Sequence, residues 1–299
     1  MPVLELAVTV REALDAARDR LATGGGGGGG GGLAEARHEA LALYALLVAG
    51  PTSAGFTDAA RTLPAALAAR LETAVARRLE GWPAAYAAGR ANFRGHWLAV
   101  DPRVLIPRPE TEGLVQLVVD WTARRREPPL VADAGTGSGA IAIALALEAR
   151  VAGIIATDLS VDALNVAIDN ATALGVRERI SLRRGNLLEP LLEEPVDAVV
   201  SNPPYVATAE WEALEPMVKD REPRLALDGG VDGLGPTRAL AAQAARALTP
   251  GGLLALELDE RRAGATAAIL TAEGFADVTV HDDLSGRPRY ALGRRPERE

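Results

Sequence analysis

The sequence predicts an α/β fold in which a small helical domain and a β-hairpin precede a domain with a mainly parallel, seven-stranded sheet. Three observations lead to this fold class. Apolar residues recur at helical spacing over about the first 80 residues, aromatic and β-branched residues then alternate with turn residues, and apolar strands alternate with helices from about residue 130 onwards. Such an alternation of strands and helices is typical of a parallel sheet with helices on both faces.

The first predicted domain, residues 1–81, is helical. Its apolar positions, for example Leu14, Ala17 and Leu21, fall on one face of a helix. Nine consecutive glycines at 24–32 interrupt this pattern. Because glycine is a poor helix former, the run predicts a flexible tether. A glycine-rich phosphate loop is disfavoured here, since no strand precedes the run and no Lys-Ser/Thr follows it.

Composition narrows the classes of function. The chain has no cysteine, so disulfides, thiolate catalysis and Cys-ligated zinc are excluded, and its three histidines lack a metal-ligand spacing, so we expect no metal. A formal charge of −8 with scattered basic residues disfavours direct binding of nucleic acid. The N-terminus is typical of an amphipathic helix rather than a signal peptide, and no apolar stretch approaches the ~18 residues of a membrane span. We therefore expect a cytoplasmic protein without a membrane partner.

The second predicted segment, residues 82–107, is a linking β-hairpin, and the third, residues 108–299, is the α/β domain. In the hairpin, Phe93, Trp97 and Val100 alternate with turn residues. A helix should begin near Glu110, after a stiff proline-rich stretch. The predicted strands of the α/β domain are Leu130–Ala134, Gly153–Thr157, Ile180–Arg183, Val196–Ser201, Leu253–Leu258, Ala276–His281 and Arg289–Leu292, with intervening helices centred near Leu145, Ala167, Ala241 and Ala267.

A glycine-rich loop follows the first of these strands. In "VADAGTGSGAIAIALA", Gly135, Gly137 and Gly139 let the backbone turn sharply and approach a ligand, with Thr136 and Ser138 between them. The loop alone is also compatible with the dinucleotide fingerprint of a nicotinamide dehydrogenase.

The next two strand ends also carry polar residues. Asp158 ends the second strand, where a carboxylate can accept both hydroxyls of an adenosine ribose, although it could equally act near a helix N-cap. Asn186 and Leu187 follow the third strand, beside the expected adenine position. Three consecutive strand ends thus present glycine backbone, an acid and an amide, which predicts a nucleoside site.

The fourth strand ends in an unusual tetrapeptide, Asn202-Pro203-Pro204-Tyr205. If the Asn202 side-chain carbonyl and the Pro203 main-chain carbonyl each accept one N–H of a planar amino group, the nitrogen is pushed toward tetrahedral geometry and its lone pair faces an electrophile. Two prolines hold those acceptors rigidly, and Tyr205 can stack on a planar substrate. A rigid strand terminator would need only a single glycine or an Asn-Gly pair, so it leaves the doubled proline unexplained.

These residues resemble a known family. The glycine loop, the acid after the second strand and "NPPY" after the fourth look like class I S-adenosylmethionine-dependent amino-methyltransferases, which have a Rossmann-like, seven-stranded sheet. Together with "RRLEGWPAAYAAGRANFRG", "VLIPRPETEGLV", "EPRLALDGGVDGLG" and "PGGLLALEL", the chain is similar to the PrmC/HemK family of peptide chain release factor glutamine methyltransferases. "NPPY" is shared with adenine and guanine amino-methyltransferases, whereas "LIPRPETE" with "NPPY" is far more specific.

The resemblance implies an activity, a cofactor and a role for each site residue. The reaction is methyl transfer from S-adenosyl-L-methionine, leaving S-adenosyl-L-homocysteine, to the side-chain amide nitrogen of the glutamine in the Gly-Gly-Gln loop of class I release factors. The methionine part of the cofactor would be held by the glycine loop, namely Gly135, Thr136, Gly137, Ser138 and Gly139. Asp158 would bind the ribose, and Asn186 and Leu187 would flank the adenine. The glutamine would be bound by Asn202, Pro203, Pro204 and Tyr205, and Asn202 would also lie beside the cofactor. We expect a monomer whose helical domain docks the release factor.

Three departures from the family pattern stand out. Asn186 occupies a position where the family usually has Asp, which could alter affinity for the cofactor. After Glu257 the family tends to have glycine and glutamine, whereas "LDERRA" follows here, so the role of that loop is open. The glycine run replaces a plain helix connection.

Two further alternatives keep the same cofactor. A nucleic-acid amino-methyltransferase would use the same tetrapeptide, but it would want a basic groove and a base-flipping element. A non-catalytic scaffold that binds the cofactor and a translation factor would have no use for two oriented acceptors.

Overall fold

The computed structural model describes residues 8–24, 32–48 and 59–297. The chain forms two compact units, Met1–Ala91 and Asn92–Glu299. Most of the predicted glycine tether, at 25–31, lies outside the described residues, as does the start of the predicted N-terminal helix at 1–7.

The N-terminal unit is helical in its described parts and has its own hydrophobic core. Its helices are α1 (Val10–Gly24), α2 (Leu33–Leu47), α3 (Ala65–Leu79) and α4 (Ala84–Ala88). Leu43, Leu71 and Val75 are among the buried side chains of this core. These positions recur at helical spacing in the sequence, which is why the helices bury one face each.

A two-stranded hairpin, β1 (Arg90–Phe93) and β2 (His96–Ala99), follows as predicted. It turns through Arg94 and Gly95, which both have positive φ. Helix α5 (Pro109–Ala123) begins with proline at its first position, where the missing N–H leaves no helical hydrogen bond unmade.

The second unit contains the predicted seven-stranded sheet. Its strands are β3 (Leu130–Ala134), β4 (Gly153–Asp158), β5 (Ile180–Arg184), β6 (Val196–Ser201), β7 (Leu248–Glu257), β8 (Ala276–Asp282) and β9 (Pro288–Arg294). Their order across the sheet is β5-β4-β3-β6-β7-β9-β8, and β9 pairs antiparallel with both of its neighbours. The predicted fold class is therefore confirmed.

Strand β7 begins five residues earlier than predicted. Leu248 pairs with Val196, but the next aligned pair is Leu253 with Ala198, so the intervening Thr-Pro-Gly-Gly forms a bulge inside the strand. Sequence patterning marks such residues as a turn, although here they continue the strand.

Helices cover both faces of the sheet. Besides α5, the helices of this unit are α6 (Ala140–Glu148), α7 (Val161–Ala173), the short α8 (Pro216–Lys219), α9 (Gly235–Ala247) and α10 (Ala263–Ala272). Residues of α5, α6 and α7 contribute to one buried cluster, and residues of α9 and α10 contribute to the other. Within the described ranges, no helix is long and apolar enough to cross a membrane.

The strand order creates a switch point between β3 and β6. From β3 the chain moves outward through β4 and β5, and it then returns to the other side of β3 with β6. In open parallel sheets the crevice at such a point, outside the carboxyl ends of the strands, is where ligands bind.

Candidate active site

A cleft of about 630 Å³ opens at the carboxyl ends of β3, β4, β5 and β6, within the second unit. Eight of the residues predicted from the sequence line it, namely Gly135, Gly137, Asp158, Asn186, Leu187, Asn202, Pro203 and Pro204. Thr136, Ser138, Gly139 and Tyr205 were predicted with them and are not among its lining residues. The fold thus brings four separate strand ends together around one space.

The glycine loop presents bare backbone to this cleft. Gly135 and Gly137 have φ of +75° and +55°, and no protein atom would lie within 4 Å of a Cβ at either position. At Gly139 the φ is +83° and a Cβ would meet Ile143 at 3.0 Å and Ala167 at 3.2 Å. The first two glycines therefore leave room for a ligand, and the third lets the start of α6 lie close to α7.

Asp133 lies fully buried below the loop. Its Oδ2 accepts hydrogen bonds from Thr136 Oγ1 at 2.6 Å and from the Ala142 N–H at 3.1 Å, while its Oδ1 has no partner among the described residues. Burial raises the pKa of Asp133 to about 7. The sequence analysis did not single out this residue, although an acid within the apolar run "LVADA" is an available signal.

Asp158 joins the end of β4 to the glycine loop. Its Oδ2 accepts from the Gly137 N–H and its Oδ1 from the Ser160 N–H, both at 2.9 Å. Burial raises the pKa of this carboxyl group above its ordinary value. Each carboxylate oxygen has a second lone pair, so both can still accept from a ligand at the cleft.

The turn after β5 is held in an uncommon conformation. Leu187 has a φ of +54°, which is rare for a residue other than glycine. Its carbonyl accepts from Thr157 Oγ1 at 2.7 Å, and the next N–H, of Leu188, donates to Gln243 Oε1 at 2.6 Å. These bonds hold the side of the cleft where Asn186 and Leu187 lie.

The Asn202 side chain is anchored by a hydrogen-bond chain that sequence analysis did not find. Asn202 Nδ2 donates to Thr111 Oγ1 at 3.1 Å, and Thr111 Oγ1 donates to Glu257 Oε2 at 2.6 Å. Thr111 and Glu257 are both buried. The tetrapeptide thus depends on α5 and on β7, which lie far from it in sequence.

Tyr205 reaches the same carboxyl group. Its hydroxyl lies 3.5 Å from Glu257 Oε1, the outer limit of a hydrogen bond. Burial, and then the neighbouring Glu257, raise the pKa of the Tyr205 phenol, so the hydroxyl keeps its proton. Burial likewise raises the pKa of Glu257 to about 7. A glutamate inside the apolar run "LLALEL" and a threonine inside "RPETE" are the two signals that could have pointed to this chain.

The chain leaving the tetrapeptide pairs with the loop at 227–230. The Val206 N–H donates to the Leu227 carbonyl at 2.9 Å, and the Gly229 N–H donates to the Val206 carbonyl at 2.8 Å. Gly233, with a φ of +74°, packs so closely that a Cβ would meet the Tyr205 carbonyl oxygen at 2.5 Å. The segment 227–233 therefore fixes the backbone that follows the tetrapeptide.

The loop after Glu257, whose role the sequence left open, is an ion-pair anchor. Arg262 bonds Asp259 at 2.7 Å, Glu210 at 2.9 Å and the Asp232 carbonyl at 2.8 Å. Arg262 therefore holds together the segment around Glu210, the segment around Asp232 and the loop that follows β7.

Two sequence segments meet at the rim of the cleft. Glu222, which is buried, pairs with Arg108 at 2.5 Å and accepts from the Ile106 N–H at 3.3 Å. Residues on each side of this contact, Val104 and Leu105 before it and Pro223 and Leu225 after it, line the cleft. The "LIPRPETE" and "EPRLALDGG" stretches thus build one wall together.

Comparison with known proteins gives consistent results. The methyltransferase small domain family matches residues 116–232, which include the glycine loop and the tetrapeptide. Two solved structures share the fold. A methyltransferase from Pyrococcus furiosus has a TM-score of 0.51 at 17% identity and covers 68% of this chain and 90% of its own. The catalytic domain of hMettl16, solved with an RNA hairpin, has a TM-score of 0.54 at 17% identity and covers 78% and 82%.

Relatives of known family match nearly the whole chain. The release factor glutamine methyltransferase of Cereibacter sphaeroides is 41% identical over 95% of this chain and 98% of its own length. That of Moorella thermoacetica is 40% identical over 97% and 100%. The chain belongs to the release factor glutamine methyltransferase family.

Proposed function

We propose that this protein methylates the side-chain amide nitrogen of the glutamine in the Gly-Gly-Gln loop of class I release factors, using S-adenosyl-L-methionine. The observation that carries the proposal is the orientation of Asn202. Because its Nδ2 donates to Thr111, its Oδ1 is the end of the amide that remains to accept from a substrate. That oxygen belongs to a side chain of the cleft built from the glycine loop and Asp158.

The cleft fits the cofactor. Gly135 and Gly137 face it with open space where a side chain would stand, which suits the methionine part of the cofactor. The Asp158 carboxylate suits the ribose hydroxyls, and Asn186 and Leu187 suit the adenine. Thr136, Ser138 and Gly139 would act through the backbone of the loop. When bound, S-adenosyl-L-methionine supplies an electrophilic methyl group.

The protein's part in the reaction is to prepare the nitrogen. An amide nitrogen is a poor nucleophile because its lone pair is delocalised into the carbonyl. We propose that Asn202 Oδ1 and the Pro203 carbonyl each accept one N–H, which holds both protons and directs the lone pair at the methyl group. Pro204 keeps the backbone rigid, and the substrate nitrogen loses one proton to water after the transfer.

Tyr205 would define the face on which the planar amide lies. Its ring follows the two prolines directly, and its hydroxyl is held toward Glu257. A neutral, anchored phenol can stack on an amide without competing for its N–H groups.

The deciding assay measures which molecule becomes labelled. The protein is incubated with S-adenosyl-L-methionine carrying a labelled methyl group and with a class I release factor, the same factor with its loop Gln changed to Asn, or DNA. Label on the unchanged factor alone supports the proposal. Label on DNA would overturn it in favour of a nucleic-acid amino-methyltransferase, and binding of the factor without any label would favour a scaffold. We also propose that the protein works in the cytoplasm and that it is a monomer. Light scattering tests the second point, because a monomer has the chain mass of 31.1 kDa.

A further inference from the structure

We propose that Thr111 and Glu257 are positioning residues that keep the acceptor oxygen of Asn202, rather than its NH₂ group, turned toward the substrate. This inference rests on the proposed function of the cleft and concerns two side chains to which the sequence reasoning assigned no role. Neither is part of the cleft lining, and both are buried behind the tetrapeptide.

The direction of each hydrogen bond carries the argument. An ionised carboxylate can only accept, so the 2.6 Å contact between Thr111 Oγ1 and Glu257 Oε2 uses the single proton of the threonine hydroxyl. With that proton committed, Thr111 Oγ1 can offer only a lone pair. Asn202 must then turn its Nδ2 toward Thr111, which leaves Oδ1 for the substrate.

The hydrogen-bond chain from Glu257 through Thr111 to Asn202 therefore couples the protonation of Glu257 to the orientation of the Asn202 amide. If Glu257 is protonated, its carboxyl group can donate a hydrogen bond to Thr111 Oγ1. The threonine hydroxyl can then donate its own hydrogen bond to another acceptor. The partner that suits this donor is Asn202 Oδ1, so the amide turns over and presents two N–H donors to a substrate that is itself a donor. Turnover should fall as Glu257 takes up its proton.

The surroundings of Glu257 make this proton exchange accessible near neutral pH. Burial is the main cause that raises the pKa of Glu257 to about 7, and the charge of Glu110 on α5 adds to it. Arg289 of β9 and the hydrogen bond from Thr111 act in the opposite direction. Two phenols complete the surroundings. Tyr205 points its hydroxyl at the other carboxyl oxygen, and Tyr290, paired with Glu257 in the sheet, donates to the Glu110 carbonyl at 2.5 Å.

The kinetic test compares three variants at saturating cofactor and substrate. Thr111→Val removes the hydroxyl at nearly constant volume and should lower kcat by about 10- to 100-fold, whereas Thr111→Ser should restore it to within about threefold. A matched control is Thr122→Val, because Thr122 is also buried on α5 and donates only to its own helix, to the Val119 carbonyl at 2.8 Å. The control should keep the wild-type kcat.

The pH profile tests the carboxyl group. In the wild type, kcat should rise with pH to a plateau, with a midpoint near 7. In Glu257→Gln this limb should disappear, because the neutral amide does not titrate. A limb that persists unchanged in Glu257→Gln, or a Thr111→Val enzyme with wild-type kcat, would overturn the proposal.

A spectroscopic readout separates this proposal from the proposed function. The side-chain ¹H–¹⁵N signal of Asn202, assigned by its loss in Asn202→Ala, should shift with a midpoint near pH 7 in the wild type and stay constant in Glu257→Gln. It should also move in Thr111→Val and not in Thr122→Val. An Asn202 signal that shifts neither with pH in the wild type nor in Thr111→Val refutes the positioning role. If instead the signal behaves as expected while no release factor is methylated, the proposed substrate is wrong and the positioning role stands.

Discussion

At the scale of single residues, the chemistry depends on which end of the Asn202 amide faces the cleft. Asparagine offers a donor and an acceptor of nearly the same shape, so the residue type alone does not decide its role. The decision is made by Thr111, 91 positions away in sequence, and by Glu257 behind it. Sequence reasoning found Asn202 because its motif is continuous, and it missed the other two because their contacts appear only when α5, β6 and β7 are assembled.

Removing the acceptor should therefore affect the chemical step more than binding. Asn202→Ala is expected to lower kcat by roughly 10²–10³, the usual loss for one preorganised group that acts in the transition state. The Kd of S-adenosyl-L-methionine, measured by calorimetry, should change much less. Near-full turnover in this variant would remove the proposed mechanism.

The buried Asp133 should make stability depend on pH. Its folded pKa, about 7 against an ordinary 3.8, means that the folded state holds one more proton than the unfolded chain between those values. Its contribution to the free energy of unfolding is therefore present below about pH 4 and is lost as pH rises to 7. In Asp133→Asn, an amide oxygen can keep the bonds from Thr136 and Ala142 while the NH₂ group takes the unpartnered position.

The check is urea unfolding of both proteins between pH 4 and 8. The stability of Asp133→Asn relative to the wild type should increase by up to about 4 kcal/mol from pH 4 to 7 and then level off. A difference that stays constant over this range would show that Asp133 is not held at a raised pKa.

At the scale of elements, the strands and helices of the sheet domain were predictable because each buried strand is an apolar run that ends in turn residues. The alternation of strands and helices predicted a ligand site at the strand ends, and the observed strand order, with its switch point after β3, brings four of those ends around one cleft. What could not be predicted is how the irregular segments brace each other. The bond of Arg262 to Glu210 and the packing of Gly233 against Tyr205 depend on loops whose sequences carry no periodicity.

The loop beside Tyr205 allows a matched test of this bracing. Gly230 and Gly233 both have positive φ, but a Cβ on Gly230 would meet nothing, whereas one on Gly233 would meet the Tyr205 carbonyl and Arg262 Nε at 2.5 and 2.6 Å. Gly230→Ala should cost about 1–2 kcal/mol of stability for the left-handed conformation alone. Gly233→Ala should cost about 1–3 kcal/mol more, because it also overpacks the loop.

The kcat values of Gly230→Ala and Gly233→Ala show whether this loop also positions the active site. Gly233→Ala should lower kcat clearly more than Gly230→Ala, since only the former displaces the backbone of Tyr205. Equal losses of kcat and of urea-unfolding free energy in the two variants would contradict the bracing role of this loop.

At the scale of the whole molecule, the two units have separate tasks in the proposed function. Each has its own hydrophobic core: one cluster includes Leu43, Leu71 and Val75, and two further clusters pack on the sheet of the second unit. Among the residues that the structure describes, those that line the cleft all belong to the second unit. The chemistry therefore needs the second unit, whereas the predicted task of the helical unit is to bind the body of the release factor.

A chain that begins at Trp82, and so keeps the whole hairpin, tests this division. It should fold cooperatively, since the sheet domain has its own core, and it should bind S-adenosyl-L-methionine as the full chain does. On a short Gly-Gly-Gln peptide its kcat/KM should be within about threefold of the full chain, while on the intact release factor it should fall by at least about tenfold, equivalent to a lost contact worth 1.4 kcal/mol. Undiminished kcat/KM on the intact factor would rule out docking by the helical unit. An equal loss on peptide and factor, with a cooperative thermal transition retained, would instead place the contribution of the helical unit in the chemical step.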